Sequence, residues 1–456
     1  MIMLKDTQGL EVSTNSPQAI AAINCFIDQI LSMGKNPDVI FQAIEADPTS
    51  VIANAYAATL YMLAETADGP TQATPYLKRA YEYCNRANER EQLYLHSINA
   101  WVNGDIDRAI AYHEEIANKY PCDLLNVQIG QKHYLDLGNK QGLLQIVENV
   151  LPANRENHYL YGMLAFGLEE NQRYEEAEAA GRQATAMNRN ESCWAHHAIA
   201  HVLYSQGRLD EGIAWTESVC DVWEDTGFYT HQWWHTALYY VEKEDFNKVL
   251  ELYDTRIWGT TANKETALDL INAISLLIQL EMAGVDVSYS RKDSNAADAQ
   301  GNSIASRWEE VANAVTGRIH EHILSLYDLH YIYAIARVGR DELVEQMLES
   351  IQSYAQTAKP CVRKAWSEVT LPVAQGMVAY ARGEWAKTAA LLKLVLPRLH
   401  EVGGSDAQRD LFEKIYLDCL IRTEENEQAR QLLEKRAAVR DNVPSIQREL
   451  ARISSK

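Results

Sequence analysis

The chain has 456 residues, of which 47% are hydrophobic and 23% are charged. This composition is typical of a globular protein with enough apolar residues to form a core. Lys and Arg total 42 against 63 Asp and Glu, so the net charge is −21. A surface this acidic repels phosphate backbones and anionic lipid heads. The composition therefore predicts that the protein's partners include no nucleic acid and no membrane.

Sequence features that direct a chain out of the cytoplasm are absent. No apolar run approaches the roughly 20 residues that a membrane-spanning helix needs. The opening residues, MIMLKDTQGLEVSTNS, lack the basic start, apolar centre and small-residue cleavage site of a secretory signal. The seven cysteines are scattered and form no C-x-x-C pair, which is typical of a reducing compartment. We therefore expect a cytoplasmic protein.

Helical periodicity runs through most of the chain, and no stretch has the alternation of period two that marks strands. In chain order we predict an N-terminal tail over residues 1–20 and a helical repeat array over 21–285. Polar, turn-forming residues then predict a loop or hinge over 286–303. A C-terminal helical repeat part over 304–442 and a charged tail over 443–456 complete the chain.

The helical array repeats a short signature in which a turn residue precedes an apolar residue and then a small residue that opens a second helix. It occurs in the segments Gly104–Ala109, Asn171–Ala177, Gly207–Gly212, Glu244–Phe246 and Gly383–Trp385. Ile106 lies 68 residues before Tyr174, which lies 35 before Leu209, which in turn lies 37 before Phe246. A period of about 34 residues with helix–turn–helix content is the signature of tetratricopeptide repeats. The sequence thus predicts an all-α fold, an α-solenoid (superhelix) of degenerate tetratricopeptide-type helix pairs.

Histidines are concentrated in two neighbouring repeats. His197 and His201 are four residues apart on one predicted first helix, and His231 and His235 are four apart on the next. A spacing of four places both imidazoles on one face of a helix. First helices of successive repeats lie side by side, so we expect the two pairs to converge in one concave groove. The other predicted groove residues are Tyr161, Trp194, Trp233, Trp234 and, as a candidate catalytic base, Glu169.

Two interpretations of these histidines remain open. The four are candidate metal ligands or catalytic groups, because neutral imidazole binds transition metals and titrates near pH 7. Alternatively, they are packing and hydrogen-bonding side chains in a polar seam between helices. The zinc-protease pattern H-E-x-x-H is absent, since the chain reads H-A-I-A-H and H-Q-W-W-H.

Two further groups are binding candidates. In Asp328-Leu-His330, the carboxylate can orient an imidazole, or both residues can simply begin a helix. Arg409, close to Gly403-Gly404 and Ser405, can support an anion at a helix N-terminus. A capping box formed by Ser405 and Gln408 explains the same composition without a ligand.

Other common catalytic signatures are missing. The sequence contains no P-loop, no G-x-G-x-x-G after a strand, no G-x-S-x-G elbow and no cysteine zinc cluster. Phosphoryl transfer, dinucleotide oxidoreduction and hydrolysis on an α/β scaffold are therefore disfavoured.

Four segments occur in an order that resembles the tetratricopeptide repeat protein 38 family: Tyr161–Glu170, Trp194–Val202, His231–His235 and Gly403–Asp410. Leu252–Asp254, Leu268–Ala273 and Asp328–His330 are also similar, and the resemblance runs from about residue 95 to about residue 437. It implies a superhelix of degenerate repeats and no defined activity.

Within this resemblance, functional positions carry over residue by residue. The family's histidine-rich motifs match His197, His201, His231, Trp234 and His235, and its other motifs match Glu169, His330 and Arg409. The chain departs from the family at Asp406, where the resemblance implies histidine, and at Asn272, where it implies aspartate. If either position belongs to a family active site, the resemblance implies altered or absent activity here.

Two functions follow from these observations. The first is a binding protein whose concave, His/Trp-rich groove holds a small molecule or a peptide or protein segment. The alternative is an unusual metal- or histidine-dependent enzyme, hydrolase-like in its chemistry, with a transition metal as its cofactor. The repeat fold favours the binding protein, since such concave surfaces commonly bind partners.

Overall fold

The computed structural model describes residues 4–260, 262–287, 306–441 and 443–454. These residues form one short hairpin, β1 (Leu4–Lys5) and β2 (Glu11–Val12), and are otherwise mainly helical. The helices up to residue 219 are α1 (Pro17–Leu31), α2 (Ile40–Ala46), α3 (Val51–Leu63), α4 (Gly69–Tyr83), α5 (Glu89–Val102), α6 (Ile106–Lys119), α7 (Leu124–Asp136), α8 (Lys140–Val150), α9 (His158–Glu170), α10 (Tyr174–Met187), α11 (Cys193–Ser205) and α12 (Leu209–Val219). They are followed by α13 (Tyr229–Glu242), α14 (Phe246–Leu252), α15 (Ala267–Met282), α16 (Arg307–Val315), α17 (Ser325–Arg337), α18 (Asp341–Thr357), α19 (Pro360–Ala365), α20 (Leu371–Ala381), α21 (Trp385–Val395), α22 (Asp406–Arg422), α23 (Asn426–Ala437) and α24 (Pro444–Ser454).

Consecutive helices pack as pairs, as in α3 with α4, α5 with α6, α7 with α8, α9 with α10 and α20 with α21. Small residues allow the helices to approach closely: Ala177 and Ala184 on α10 are fully buried. At Gly181, an added Cβ would lie 2.6 Å from Cγ1 of Ile199. The predicted all-α, tetratricopeptide-type fold is confirmed.

Each first helix ends at a residue in the left-handed conformation, and these residues mark the repeat. Gly104, Gly138 and Gly207 have φ angles of 70°, 67° and 70°. Gln172 and Glu244 occupy the corresponding positions with φ angles of 61° and 62°. Gly138 lies beside the position one 34-residue step after Ile106, so the 68 residues from Ile106 to Tyr174 span two repeats. Glycine is favoured at this helix C-terminal position because other L-residues are strained there.

The described residues divide into two compact units. The first runs to Ile199 and includes Val219–Tyr229, and the second comprises Ala200–Ser218 and continues from Thr230. The first division between them falls inside α11. None of the helices in the described ranges has the length and apolar run that crossing a membrane requires.

The segment predicted as an N-terminal tail, residues 1–20, contains a hairpin and the start of a helix in its described part, residues 4–20. β1 pairs with β2 in antiparallel register, and α1 starts at Pro17. The guanidinium of Arg90 lies 3.3 Å from Asp6 and 3.0 Å from Asp123, and both carboxylates are fully buried. This ion triad fixes the N-terminal segment on α5, which explains why a polar sequence there is ordered.

Two further predicted segments are the loop or hinge over 286–303 and the charged tail over 443–456. The loop or hinge predicted over 286–303 lies outside the described residues from position 288 onward. The predicted charged tail over 443–456 contains a helix, α24, because Ile446 and Ile453 are 4% and 3% exposed. Two apolar residues seven apart form a buried stripe that is too sparse to stand out in the sequence.

An ion cluster in the second unit holds the C-terminal helices. It comprises Glu242, Asp410, Lys414, Arg436 and Arg440. Lys414 Nζ lies 2.7 Å from Glu242 and 3.5 Å from Asp410, and Arg436 lies 2.7 Å from Asp410. Burial alone would raise the pKa of Glu242, but Lys414 and Arg440 lower it to about 2. The cluster thus stabilises the fold only while its carboxylates are ionised.

Replacing Gln172 by glycine should raise the free energy of unfolding by about 0.5–1 kcal/mol. The change removes left-handed strain of about 1–2 kcal/mol and adds the smaller entropic cost of glycine. Urea denaturation would measure this change as a higher urea concentration at the midpoint of unfolding. Gly383→Ala is the reciprocal control, since its φ is 76° and an added Cβ meets nothing closer than 3.5 Å. An unchanged midpoint in both variants would contradict the assignment of strain.

Acid should weaken the second unit through Glu242. Its pKa in the folded state, about 2, lies below the ordinary value of 4.5. The stabilisation is therefore complete above about pH 4.5 and is lost as the pH falls towards 2, a change on the order of 3 kcal/mol. Glu242→Gln should unfold at lower urea at pH 7 and show a flatter decline below pH 4.5. Glu211→Gln, at an exposed ion pair, should match the parent protein at every pH.

Candidate functional site

Three helices of the second unit carry buried polar side chains that meet. The last turns of α11 contribute His201, α13 contributes His231 and His235, and α15 contributes Asn272. Their exposed fractions are 0%, 3%, 1% and 1%, respectively. The spacing of four between His231 and His235 places both rings on the same face of α13, as predicted. We call His201, His231 and His235 the histidine cluster.

Asn272 sets the orientation of His231. The Nδ1 atom of His231 lies 3.0 Å from Oδ1 of Asn272. Because an amide oxygen only accepts hydrogen bonds, Nδ1 carries the proton and donates. The lone pair of neutral His231 is then on Nε2, which points away from Asn272. Asn272 thus occupies the place of the outer partner that fixes the tautomer of a metal-bound histidine.

The other two histidines face this lone pair. Nε2 of His235 lies 3.1 Å from Nε2 of His231. The rings of His201 and His235 have centroids 4.4 Å apart. One ring nitrogen from each of His201, His231 and His235 lies within 4.8 Å of the other two. Three imidazoles from two helices therefore present nitrogen atoms to one small volume.

Trp234 forms an aromatic wall for the cluster. Its ring stacks on His231 at a centroid distance of 5.2 Å and meets His235 edge-on at 4.7 Å. The indole Nε1 donates to Oγ of Ser275 at 2.8 Å, and Ser275 donates to the carbonyl oxygen of Asn272 at 3.1 Å. This chain of hydrogen bonds links α13 to α15 and fixes the side chains that bear the site.

Burial keeps His231 uncharged at neutral pH. It lowers the pKa of His231 to about 3, and the hydrogen bond with Asn272 acts in the opposite direction. A neutral imidazole is the form that binds a metal ion. Some catalytic zinc sites have three histidine ligands and leave the fourth coordination position to water or substrate.

His197 and Trp194 lie in the first unit, one turn or more before His201 on α11. His197 is 2% exposed, and its ring lies 4.8 Å from Trp194, 5.6 Å from Phe166 and 5.1 Å from Phe228. Three aromatic rings thus surround this imidazole within the first unit.

The remaining predicted groove residues are distributed over both units. Glu169 and Tyr161 lie on α9 of the first unit, Glu169 being 1% exposed and Tyr161 half-buried. Trp233 is half-buried on α13, with the guanidinium carbon of Arg256 5.2 Å from its ring centroid. Their roles as catalytic base or binding residues stay predictions.

The candidates near residue 330 differ from the predicted pairing. Asp328 does not orient His330: Nδ1 of His330 lies 2.7 Å from the carbonyl oxygen of Leu326, one turn earlier. Asp328 instead lies 2.6 Å from Nδ1 of His322. Residues two apart on a helix point in different directions, so Asp328 and His330 cannot face each other.

Arg409 is engaged by its own helix terminus. Nη2 lies 2.6 Å from Asp406, and Nη1 donates to the carbonyl oxygens of Gly403 and Gly404. Ser405 and Gln408 form the capping box that the sequence predicts. The geometry therefore supports a structural role for Arg409, and its role in binding stays a prediction.

No known family model matches this chain. Among solved structures, MamA 41-end from Desulfovibrio magneticus RS-1 is 18% identical with a TM-score of 0.28, over 36% of this chain and 94% of that chain. The human IFIT1 dimer with m7Gppp-AAAA is 14% identical with a TM-score of 0.41, over 100% of this chain and 96% of that chain. The resemblance to the tetratricopeptide repeat protein 38 family stays a prediction.

The predicted exclusion of nucleic acid as a partner is wrong. A helical chain similar over the whole length of this one is solved with m7Gppp-AAAA, a nucleic-acid ligand. The physical reason is that net charge is a sum over the whole chain, whereas a phosphate interacts with the charges within about a Debye length. An acidic total does not decide the potential at one site.

Sequence reasoning missed three residues that shape these sites: Asn272, Ser275 and His322. Asn272 and Ser275 are three apart on α15 and so share a face, but polar residues in an apolar helix give no sign of their partners. The resemblance to the tetratricopeptide repeat protein 38 family implies aspartate at position 272. The asparagine found there was the one sequence feature that marked this position. His322 precedes its helix and has no periodic relation to Asp328.

Proposed function

We propose that this chain is a helical-repeat binding protein whose histidine cluster holds a transition-metal ion. The observation that carries the proposal is the approach of three buried ring nitrogens to within 4.8 Å of one another. Two nitrogens bound to one tetrahedral zinc ion lie about 3.3 Å apart, given Zn–N bonds of about 2.0–2.1 Å. The separation of 3.1 Å between His231 and His235 is already close to this value.

The outer partners support a metal more than packing alone. Asn272 leaves the Nε2 lone pair of His231 directed at Nε2 of His235. A core that needed only to be filled would be more stable with apolar side chains, because burying polar groups costs free energy. Three imidazoles converge instead on helices whose side chains are held by hydrogen bonds.

The proposed metal sets the class of ligand. We propose that a small molecule or a peptide segment binds it through a carboxylate, thiolate or similar donor. We further propose membership of the tetratricopeptide repeat protein 38 family and a cytoplasmic location, both on the sequence features described above.

A second candidate is a metal-dependent, hydrolase-like enzyme. The histidine ligand set favours it, because a zinc ion held by three histidines lowers the pKa of a bound water to about 7. Binding and catalysis would use the same three ligands, and turnover of an ester or amide that a chelator abolishes separates the two functions.

Tag-free protein should bind one transition-metal ion per chain, and His235→Ala should lower the affinity at least tenfold. Inductively coupled plasma mass spectrometry after zinc loading and gel filtration would measure the stoichiometry. His330→Ala removes another buried imidazole of the same unit and is the matched control. It should retain the metal, since its Nδ1 bonds to the carbonyl oxygen of Leu326 and its ring lies against Phe412, and neither residue belongs to the histidine cluster.

Thermal unfolding gives a second measurement of the same site. Zinc at 100 times its dissociation constant should stabilise the folded chain by about 2.7 kcal/mol. The midpoint temperature of unfolding should rise on addition of zinc, and return to its starting value on addition of a chelator, for both the parent protein and His330→Ala. Equal metal content in the parent and in a folded His235→Ala variant would overturn the proposal.

Asn272→Asp should tighten metal binding while destabilising the metal-free chain. A carboxylate that accepts from Nδ1 of His231 raises the basicity of Nε2, and such outer partners change metal affinity about 10–100-fold. Without a metal, the same buried carboxylate lacks a cation and raises the cost of folding. Zinc titration and urea denaturation, with and without chelator, would measure the two effects. Weaker zinc binding by a folded Asn272→Asp variant would contradict the role assigned to Asn272.

A further inference from the structure

A serine, a histidine and a carboxylate form a continuous hydrogen-bonded chain in the second unit, separate from the histidine cluster. Oδ2 of Asp328, on α17, lies 2.6 Å from Nδ1 of His322. Nε2 of His322 lies 2.7 Å from Oγ of Ser350, on α18. Each of the two separations is that of a short, direct hydrogen bond.

The proton positions in this chain follow from the donors and acceptors available. An ionised carboxylate only accepts, so Nδ1 of His322 donates to Asp328. Nε2 of neutral His322 then holds the lone pair and accepts from the hydroxyl of Ser350. Nδ1 of His320 lies 2.8 Å from the same Oγ. Because the one hydroxyl proton of Ser350 is already donated to His322, Nδ1 of His320 must be the donor in this second hydrogen bond.

The residues of this hydrogen-bonded chain become more exposed from Asp328 towards Ser350 and His320. Asp328 and His322 are 1% and 8% exposed, whereas Ser350 is half-buried and His320 is exposed. The carboxylate is thus shielded from water, and the hydroxyl end is accessible to a solute. Tyr354 and Trp366 hold the ring of His322, with centroids 5.0 Å and 5.6 Å away.

His322 is also held in a strained backbone conformation. Its φ is 50°, in the left-handed region that residues other than glycine rarely adopt. Such strain persists only where surrounding contacts fix it, and it is concentrated at functional sites. Here the contacts that fix it are the hydrogen bonds to Asp328 and Ser350.

We propose that Ser350 is a nucleophile for acyl transfer from carboxylic esters, with His322 as its general base and Asp328 as a positioning residue. The same roles are found in serine hydrolases on unrelated folds and are recognised by geometry rather than by sequence order. Ile323, next to His322 in the chain, exposes 38% of its surface and favours an ester with an apolar acyl group.

The reaction balances without a cofactor. Oγ of Ser350 forms a bond with the carbonyl carbon while its proton passes to Nε2 of His322. The bond from carbon to the leaving alkoxide then breaks, and His322 returns the proton to that oxygen, releasing an alcohol. Water, deprotonated by His322, attacks the acyl-serine, releases the carboxylic acid and restores the hydroxyl. His320 donates a hydrogen bond at the nucleophile throughout.

An alkyl fluorophosphonate probe tests the nucleophile directly. Ser350 Oγ displaces fluoride from phosphorus, and the adduct adds a fixed mass to the peptide that contains Ser350. We expect one adduct per folded chain, located at Ser350 by tandem mass spectrometry. Ser353, exposed one turn later on α18, is a control within the same protein and should stay unmodified.

Variants separate a catalytic role from a structural one. Ser350→Ala should abolish labelling and Ser353→Ala should leave it unchanged. His322→Gln should slow labelling by about 10²–10⁴-fold, the usual contribution of a general base. Asp328→Asn should lower the maximal labelling rate without changing the probe concentration that gives half of it. A chelator should have no effect, which distinguishes this site from the proposed metal site.

Two results would overturn the proposal. One is the absence of an adduct at Ser350 in the parent protein, whose circular dichroism confirms that it is folded. The other is equal labelling of Ser350 and Ser353, which would show that the hydrogen-bonded chain does not activate the hydroxyl. Hydrolysis of p-nitrophenyl acetate with an initial burst, lost in Ser350→Ala, is the expected result for turnover.

Discussion

The first helix of each repeat is enclosed on almost all sides, and this constraint governs the chemistry of the protein. On α15, Leu270, Ile271, Ala273 and Ile274 are successive or nearly successive residues, and all are buried. A helix with no exposed face lies between its own partner and neighbouring helices. Any polar side chain on it must therefore find a partner inside the protein, since an unpaired buried polar group costs about 1–3 kcal/mol.

The protein meets this requirement in two ways that differ electrostatically. In the ion cluster, Glu242 and Asp410 are compensated by lysine and arginine, and the carboxylates stay charged although buried. In the histidine cluster, His231 is held neutral and is paired with an amide. The first arrangement resists ligands because its charges are already paired. In the second, Nε2 of His235 donates to the lone pair on Nε2 of His231, and exchange of that one proton for a cation would leave both ring nitrogens available as ligands.

The sequence predicted part of this site and missed the rest for identifiable reasons. The pair His231 and His235 was predicted correctly to share a face, because helix geometry fixes residues four apart. Convergence on His201 followed from the side-by-side arrangement of first helices. Asn272 could not be predicted as a partner, since no local pattern states which face of α15 meets α13. Asp328 was a candidate for orienting His330, with a plain helix start as the alternative, but its imidazole partner, His322, lies in the turn before α17.

The sequence alone determined the class of fold, because the apolar period of 3.6 and the turn every 34 or so residues depend only on local geometry. It also determined the composition of the helix faces, including the two histidine pairs. Tertiary structure decided which faces meet: Asn272 with His231, and Ser350 with His322 across 28 residues. It also decided that residues 4–20 and 444–454 are ordered, through Arg90 in one case and Ile446 with Ile453 in the other. Such contacts join residues distant in sequence, and their stability depends on burial that no local pattern encodes.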